Sequence, residues 1–138
     1  MKKLLLLLGA PLFLVAFSWD YSHDFVLKKD ETARIIVSER RDITRKRELS
    51  FRWTLFQNKR LVLLVKYGGN PMQFVLQQVY KRNSIKINLR DDYHDGFNRS
   101  YVMLTFKRFD EGNQTALLKT SISDPKKRIE IRFEDFKK

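Results

Sequence analysis

The chain of 138 residues contains no cysteine, and this absence excludes several classes of protein. Without cysteine there can be no disulfide framework, no thiolate nucleophile and no cysteine-linked lipid anchor. Histidine is scarce as well, because only His23 and His94 are available as imidazole bases or metal ligands. The fold must therefore be held by packing, to which 43% apolar residues can contribute.

One long apolar run is present, and it lies at the N-terminus from Leu4 to Phe17, directly after Lys2 and Lys3. It is shorter than the roughly 20 apolar residues of a membrane-spanning helix. A charged start, an apolar centre and a small residue at Ser18 are typical of a secretory signal peptide. The sequence thus predicts a cleaved signal at residues 1–18, a single domain at residues 19–138, and a periplasmic location. An uncleaved anchor is the alternative.

The chain is strongly basic, with 28 lysines and arginines against 16 acidic residues. The predicted signal contains two of these lysines and no acid, so the remaining 120 residues carry a net charge of +10. That length suits one domain with a core. A basic exported domain favours anionic partners, such as anionic lipid, lipopolysaccharide or an acidic protein surface. Nucleic acid would satisfy the charge equally well, but export makes it an improbable partner, and we predict none.

The segment from Leu49 to Leu55 alternates apolar and polar residues, which indicates a strand with one buried face. A three-residue loop at 57–59 would bring apolar residues of the next strand onto the same face. The predicted cross-strand pairs are Leu55 with Leu61, Trp53 with Leu63, Phe51 with Val65, and Leu49 with Tyr67.

Two more hairpins are predicted from turn residues. Asp95-Gly96 suits a type I′ turn, and this turn would pair Ile85 with Phe106, Ile87 with Leu104, and Leu89 with Val102. A loop at Glu111-Gly112-Asn113 would pair Phe106 with Leu118 and Val102 with Ile122. Further strands are expected at 21–28 and 33–38, and Asp124-Pro125 should turn the chain into a last strand containing Ile129, Ile131 and Phe133.

The segment 71–82 leaves two alternatives open. Asn70 as a cap and Pro71 at the first helical position favour a short helix. As a strand, the segment would place Phe74 and Leu76 opposite Leu89 and Ile87, and we favour the strand. The predicted fold is all-β: a single antiparallel meander of eight or nine strands, forming a sandwich or a small barrel.

Catalytic chemistry has little support in the sequence. His94 lies near three carboxylates, but the spacing from Asp91 does not match a calcium-binding EF-hand loop, which has an oxygen ligand at its third position and Glu at its twelfth. We predict no enzyme, no metal and no cofactor, and a hydrolase or metal enzyme centred on His94 is the weakest alternative. The hairpin tip should project from the core as a contact element. Its candidate interaction residues are Asp91, Asp92, Tyr93, His94, Asp95, Phe97 and Arg99.

The densest basic cluster lies in a predicted loop between two strands. Its residues are Arg40, Arg41, Arg45, Lys46 and Arg47. The cluster is either a solvated loop or an anion-binding site, and in an up-and-down meander it should emerge at the same end as the hairpin tip. On a separate turn, Asn113 begins an Asn-x-Thr acceptor preceded by Glu111, which predicts a candidate glycosylation site.

These features predict a small exported interaction module, a structural or accessory subunit of an envelope-associated assembly. Its partner would be an envelope protein or a second copy of the chain. The alternative is a periplasmic binder, either lipocalin-like or specific for an anionic ligand.

Overall fold

The computed structural model describes residues 18–79, 81–90 and 99–135, and within them the chain forms nine antiparallel strands. The strands are β1 (Tyr21–Lys28), β2 (Ala33–Glu39), β3 (Asp42–Gln57), β4 (Arg60–Tyr67), β5 (Asn70–Gln77), β6 (Ser84–Asn88), β7 (Tyr101–Asp110), β8 (Thr115–Ser123) and β9 (Ile129–Glu134). The predicted all-β fold is confirmed. No helix occurs among the described residues, and most of 71–82 belongs to the strand β5.

Two sheets pack face to face as an open sandwich. One has the strand order β1-β8-β7-β6 and the other β5-β4-β3-β2-β9, and neither closes into a barrel. Strands β2 to β5 and β6 to β8 are meanders, but β1 pairs with β8 and β9 pairs with β2, so the path is not one continuous meander. Phe74 and Leu76 do not face β6 as predicted, because β5 pairs only with β4 at the edge of the other sheet.

The inward residues of both sheets form one hydrophobic core. The burial pattern of β3 and β4 alternates as the sequence predicts, with Leu49, Phe51 and Trp53 buried beside Leu63 and Val65. Across the sandwich, the rings of Phe25 and Phe51 meet edge to face with centroids 5.3 Å apart. Burial of such side chains contributes most of the stability of a domain of this kind.

The hairpin of β3 and β4 confirms three predicted pairs and corrects the fourth. Leu49, Phe51 and Trp53 pair with Tyr67, Val65 and Leu63, but Leu55 pairs with Val62 and is 48% exposed. The predicted three-residue loop is wrong. Asn58 and Lys59, both with positive φ, form a two-residue turn, and a bulge at Thr54 restores the register further along the strand.

A second bulge lies in β7 at the same end of the sandwich. Phe106 pairs with Leu118 and Val102 with Ile122 as predicted, but beyond Lys107 the register shifts by one residue. The two bulges turn Phe56 and Phe109 inward, and their rings stack with centroids 3.9 Å apart. This aromatic pair joins the two sheets at the end where the β3–β4 and β7–β8 turns lie.

The hairpin of β6 and β7 is displaced by two residues from the prediction. Ile85 pairs with Leu104 and Ile87 with Val102, instead of Phe106 and Leu104. A shift of two residues keeps every side chain on its predicted face, because strand side chains alternate with period two. Asp95-Gly96, on which the prediction rested, lies outside the described residues.

The turn between β8 and β9 is organised around a buried carboxylate. Asp124 is only 2% exposed, and it accepts hydrogen bonds from the Ser100 hydroxyl (2.9 Å) and from the backbone N–H groups of Arg128 (3.0 Å) and Ile129 (3.1 Å). Its own N–H donates to the Asp20 carboxylate at 2.6 Å. Asp124 thus connects three segments: its side chain binds the start of β7 and the start of β9, and its backbone N–H binds the segment before β1.

Candidate functional site: the basic end of the sandwich

The β2–β3 hairpin projects beyond its neighbours at one end of the sandwich. Strand β4 pairs with β3 only from Leu49 onward, so β2 is the neighbour of the first part of β3. Asp42, Lys46 and Arg47 pair with β2, and residues 43–45 form an irregular stretch between these pairs. The predicted basic loop is therefore mostly strand. Only Arg40 and Arg41 form the turn, whereas Arg45, Lys46 and Arg47 lie on β3.

The turn between β8 and β9 lies beside this hairpin. The backbone N–H of Arg40 donates to the carbonyl of Arg128 at 2.8 Å, because β9 pairs with β2. This contact brings a second basic run, Lys126-Lys127-Arg128, next to Arg40 and Arg41. The two runs are more than 80 residues apart in the sequence, and only the pairing of β2 with β9 unites them.

Two neighbouring grooves open at this end, of about 550 Å³ and about 580 Å³. Glu39 and Arg90 line both grooves, and most of the polar side chains that line them are lysines and arginines. Together their cations define the basic end: Arg40, Arg41, Arg45, Lys46, Arg47, Arg90, Lys126, Lys127 and Arg128. Four separate segments of the chain contribute to it.

Acidic residues offset part of this charge. The Arg45 guanidinium lies 3.8 Å from the Asp42 carboxylate, and that of Arg40 lies 3.9 Å from Glu130. Hydrogen bonds from the Thr44 hydroxyl and backbone N–H hold the pKa of Asp42 below its usual value, with a smaller contribution from Arg45. Exposed pairs of this kind are weak and screened by salt.

The predicted hairpin tip is described only at its flanks. Asp91, Asp92, Tyr93, His94, Asp95 and Phe97 lie outside the described residues, and Arg99 is half-buried. At the near flank, Leu89 and Arg90 line the same groove as Arg45 and Arg47. The Tyr67 hydroxyl donates to the Leu89 carbonyl at 2.5 Å, so the β4–β5 turn also lies at this end. For these flanking residues, the expected common end with the basic cluster is observed.

Arg90 and the run Lys126 to Arg128 belong to this surface but were not predicted from the sequence. The run follows Asp124-Pro125 directly, and three consecutive cations are a visible signal. What the sequence did not reveal was its position, which depends on non-local strand pairing.

The described histidine lies in a packing contact between the sheets. The ring of His23 on β1 stacks on Phe133 of β9 with centroids 4.9 Å apart, and its Nε2 lies 3.0 Å from the Asp135 carboxylate. Among the residues that the structure describes, no group of three or more His, Cys, Asp or Glu side chains is placed to hold a metal ion.

Asn113 lies exposed in the turn between β7 and β8, where an acceptor for glycosylation has to be accessible. Its backbone N–H (3.2 Å) and its side-chain amide (2.9 Å) both donate to the Asp110 carboxylate. These bonds, the backbone one first, lower the pKa of Asp110. The amide nitrogen that a glycan would modify is thus engaged in the turn.

Comparison with known proteins adds no relationship, since no protein family, curated protein or solved structure matches this chain. No helix in the described part of the chain is long and apolar enough to cross a membrane. The fold and its basic end therefore carry the functional argument.

Proposed function

We propose that this chain is an exported contact module that binds an anionic partner of the cell envelope through its basic end. The observation that carries the proposal is the convergence of nine cations, from four segments, on two neighbouring grooves. Strand pairing and the Asp124-centred turn fix the backbone under several of these side chains. Such preorganisation lowers the ordering cost of binding.

Electrostatics gives this end long-range attraction as well as contacts. Like charges gathered at one end of a small domain steer an anionic partner toward that end. The attraction is screened over about 8 Å at physiological salt, so binding should weaken as salt rises. The space between the sheets is filled by core side chains, and we therefore do not propose the lipocalin-like carrier.

Export of the chain is the second part of the proposal. Near the start of the described residues, the Trp19 ring packs edge to face on Tyr101 with centroids 5.8 Å apart, and Asp20 accepts the N–H of Asp124. Cleavage after Ser18 would leave both contacts intact.

We expect N-terminal sequencing of the exported protein to start at Trp19, whereas Met1 retained in a membrane fraction would contradict the prediction.

A charge-removal experiment tests the basic end. Replacing Arg45, Lys46 and Arg47 together with serine should weaken binding of labelled inorganic polyphosphate by about tenfold or more at low salt, because three phosphate contacts are lost. The difference from wild type should shrink at physiological salt, while the melting temperature changes little.

The control removes the same charge elsewhere. Lys28, Lys29 and Lys107 are exposed and line neither groove, so their replacement with serine should leave most of the affinity intact. Equal losses in the two triple variants would show that net charge, and not the basic end, determines binding.

A further inference from the structure

Ile43 is an apolar side chain exposed at the tip of the projecting hairpin. It follows the Arg40-Arg41 turn and is 62% exposed. The pairing of β3 with β2 is irregular here, because Ser38 pairs with Lys46 while Glu39 pairs with Asp42, and Ile43 lies in the stretch between these pairs. The hairpin also extends past β4, so Ile43 lies beyond the end of the core.

The surroundings of Ile43 distinguish it from other exposed apolar residues. Val26, Val75 and Val79 are exposed to similar extents, but Ile43 has arginines at positions 40 and 41 before it and a run of three cations at 45 to 47 after it. An extended strand rises about 3.3 Å per residue, so Arg41 and Arg45 lie within about 14 Å of each other, one on each side of Ile43.

We propose that the anionic partner is the surface of a lipid bilayer, with the basic end on the phosphates and Ile43 in the apolar layer beneath them. This inference rests on the proposed function and specifies its partner. A nucleic acid or a soluble polyanion offers phosphates but no apolar layer for an aliphatic side chain. A bilayer offers both, and peripheral membrane binding combines apolar insertion with attraction to anionic lipid.

The two signals make different contributions to binding. Each cation near an anionic leaflet contributes attraction that falls off within a Debye length. An inserted aliphatic side chain contributes in proportion to the apolar area removed from water, and salt does not screen that term. The effect of losing the cations should therefore decrease as salt is raised, whereas the effect of losing Ile43 should not.

Flotation of the mature full-length protein with vesicles tests the proposal. We expect binding to vesicles that contain phosphatidylglycerol and little binding to pure phosphatidylcholine. Ile43→Ser should weaken binding to the anionic vesicles by about five- to tenfold, and this factor should persist as salt is raised. The factor for the Arg45, Lys46 and Arg47 triple variant should decrease with salt.

Val26→Ser is the matched control, since Val26 has the same 62% exposure as Ile43 but lies on β1 in the other sheet. It should bind vesicles as wild type does. Free glycerol phosphate should compete poorly with the vesicles, because a lone headgroup lacks the apolar layer.

The outcomes separate the membrane inference from the proposed function. Unchanged vesicle binding by Ile43→Ser, or equal losses with Val26→Ser, would overturn the insertion of Ile43. Absence of vesicle binding, with polyphosphate binding that still depends on Arg45 to Arg47, would overturn the membrane partner and leave the anion-binding function standing. If the triple variant bound polyphosphate as tightly as wild type, both the membrane inference and the proposed function would be contradicted.

Discussion

Replacing Trp53 with alanine is expected to lower the free energy of unfolding by about 3 to 5 kcal/mol, because the change removes a large ring from the core. Trp53 is only 3% exposed. Its ring meets Phe109 edge to face at 5.4 Å, and its indole N–H donates to the Leu27 carbonyl of the opposite sheet at 2.8 Å. Truncation would create a cavity and leave that buried carbonyl without its donor.

Two further variants separate the contributions at this position. Trp53→Phe keeps an aromatic ring but loses the N–H, so its loss should be smaller than that of the alanine variant. Arg52→Ala changes the neighbouring outward side chain, whose contact with Asp30 at 3.4 Å is exposed, and should cost less than about 1 kcal/mol. Urea titration of all three variants is the measurement. Similar losses for Arg52→Ala and Trp53→Ala would show that the assigned faces of β3 are wrong.

Asp124→Ala should be the second severe change, with a loss of about 3 kcal/mol or more. Three donors would lose their acceptor: the Ser100 hydroxyl and the backbone N–H groups of Arg128 and Ile129. Hydrogen bonds to a charged group contribute about 1.5 to 3 kcal/mol each, and buried donors left unpaired add to the penalty. Asp124→Asn keeps one acceptor oxygen and should fall between wild type and the alanine variant.

Asp135→Ala is the control for this prediction, because it removes a carboxylate that is largely exposed. Thermal and urea unfolding should both show that the Asp124→Ala variant is much less stable than the Asp135→Ala variant. A difference between them of less than about 1 kcal/mol would contradict the role assigned to the buried carboxylate.

Asp124→Asn, if it folds, should also bind polyphosphate less well, since its turn positions Lys126 and Arg128 at the basic end.

The buried faces of individual strands could be predicted from the local alternation of apolar and polar residues. The pairing of strands that are far apart in the sequence could not. The inward faces of β3, β4, β7 and β8 followed from period-two patterns, and their central registers are observed. The register of β6 was displaced because it was inferred from a single turn signal. The pairs β1–β8 and β2–β9 join segments far apart in the chain, and no local pattern specifies them.

The same distinction applies to the candidate site. Arg40 to Arg47 was visible as a run of charge, but its extension onto a strand and its union with Lys126 to Arg128 required the sheet order. Ile43 showed no signal of its own in the sequence, because a lone isoleucine in a strand pattern normally lies in the core. Ile43 lies where β3 extends beyond β4 and where the pairing of β3 with β2 is irregular, and neither feature is visible in the sequence.

The two bulges also determine where this chain can change length. A residue lost from the middle of a strand normally inverts every side chain beyond it. Thr54 and Lys107 are the exceptions in β3 and β7, because each is the extra residue of a β-bulge and has no paired residue in the neighbouring strand. Deleting either one would leave a regular strand with Phe56 or Phe109 still facing inward. At these two positions, chains that differ by one residue can share one core.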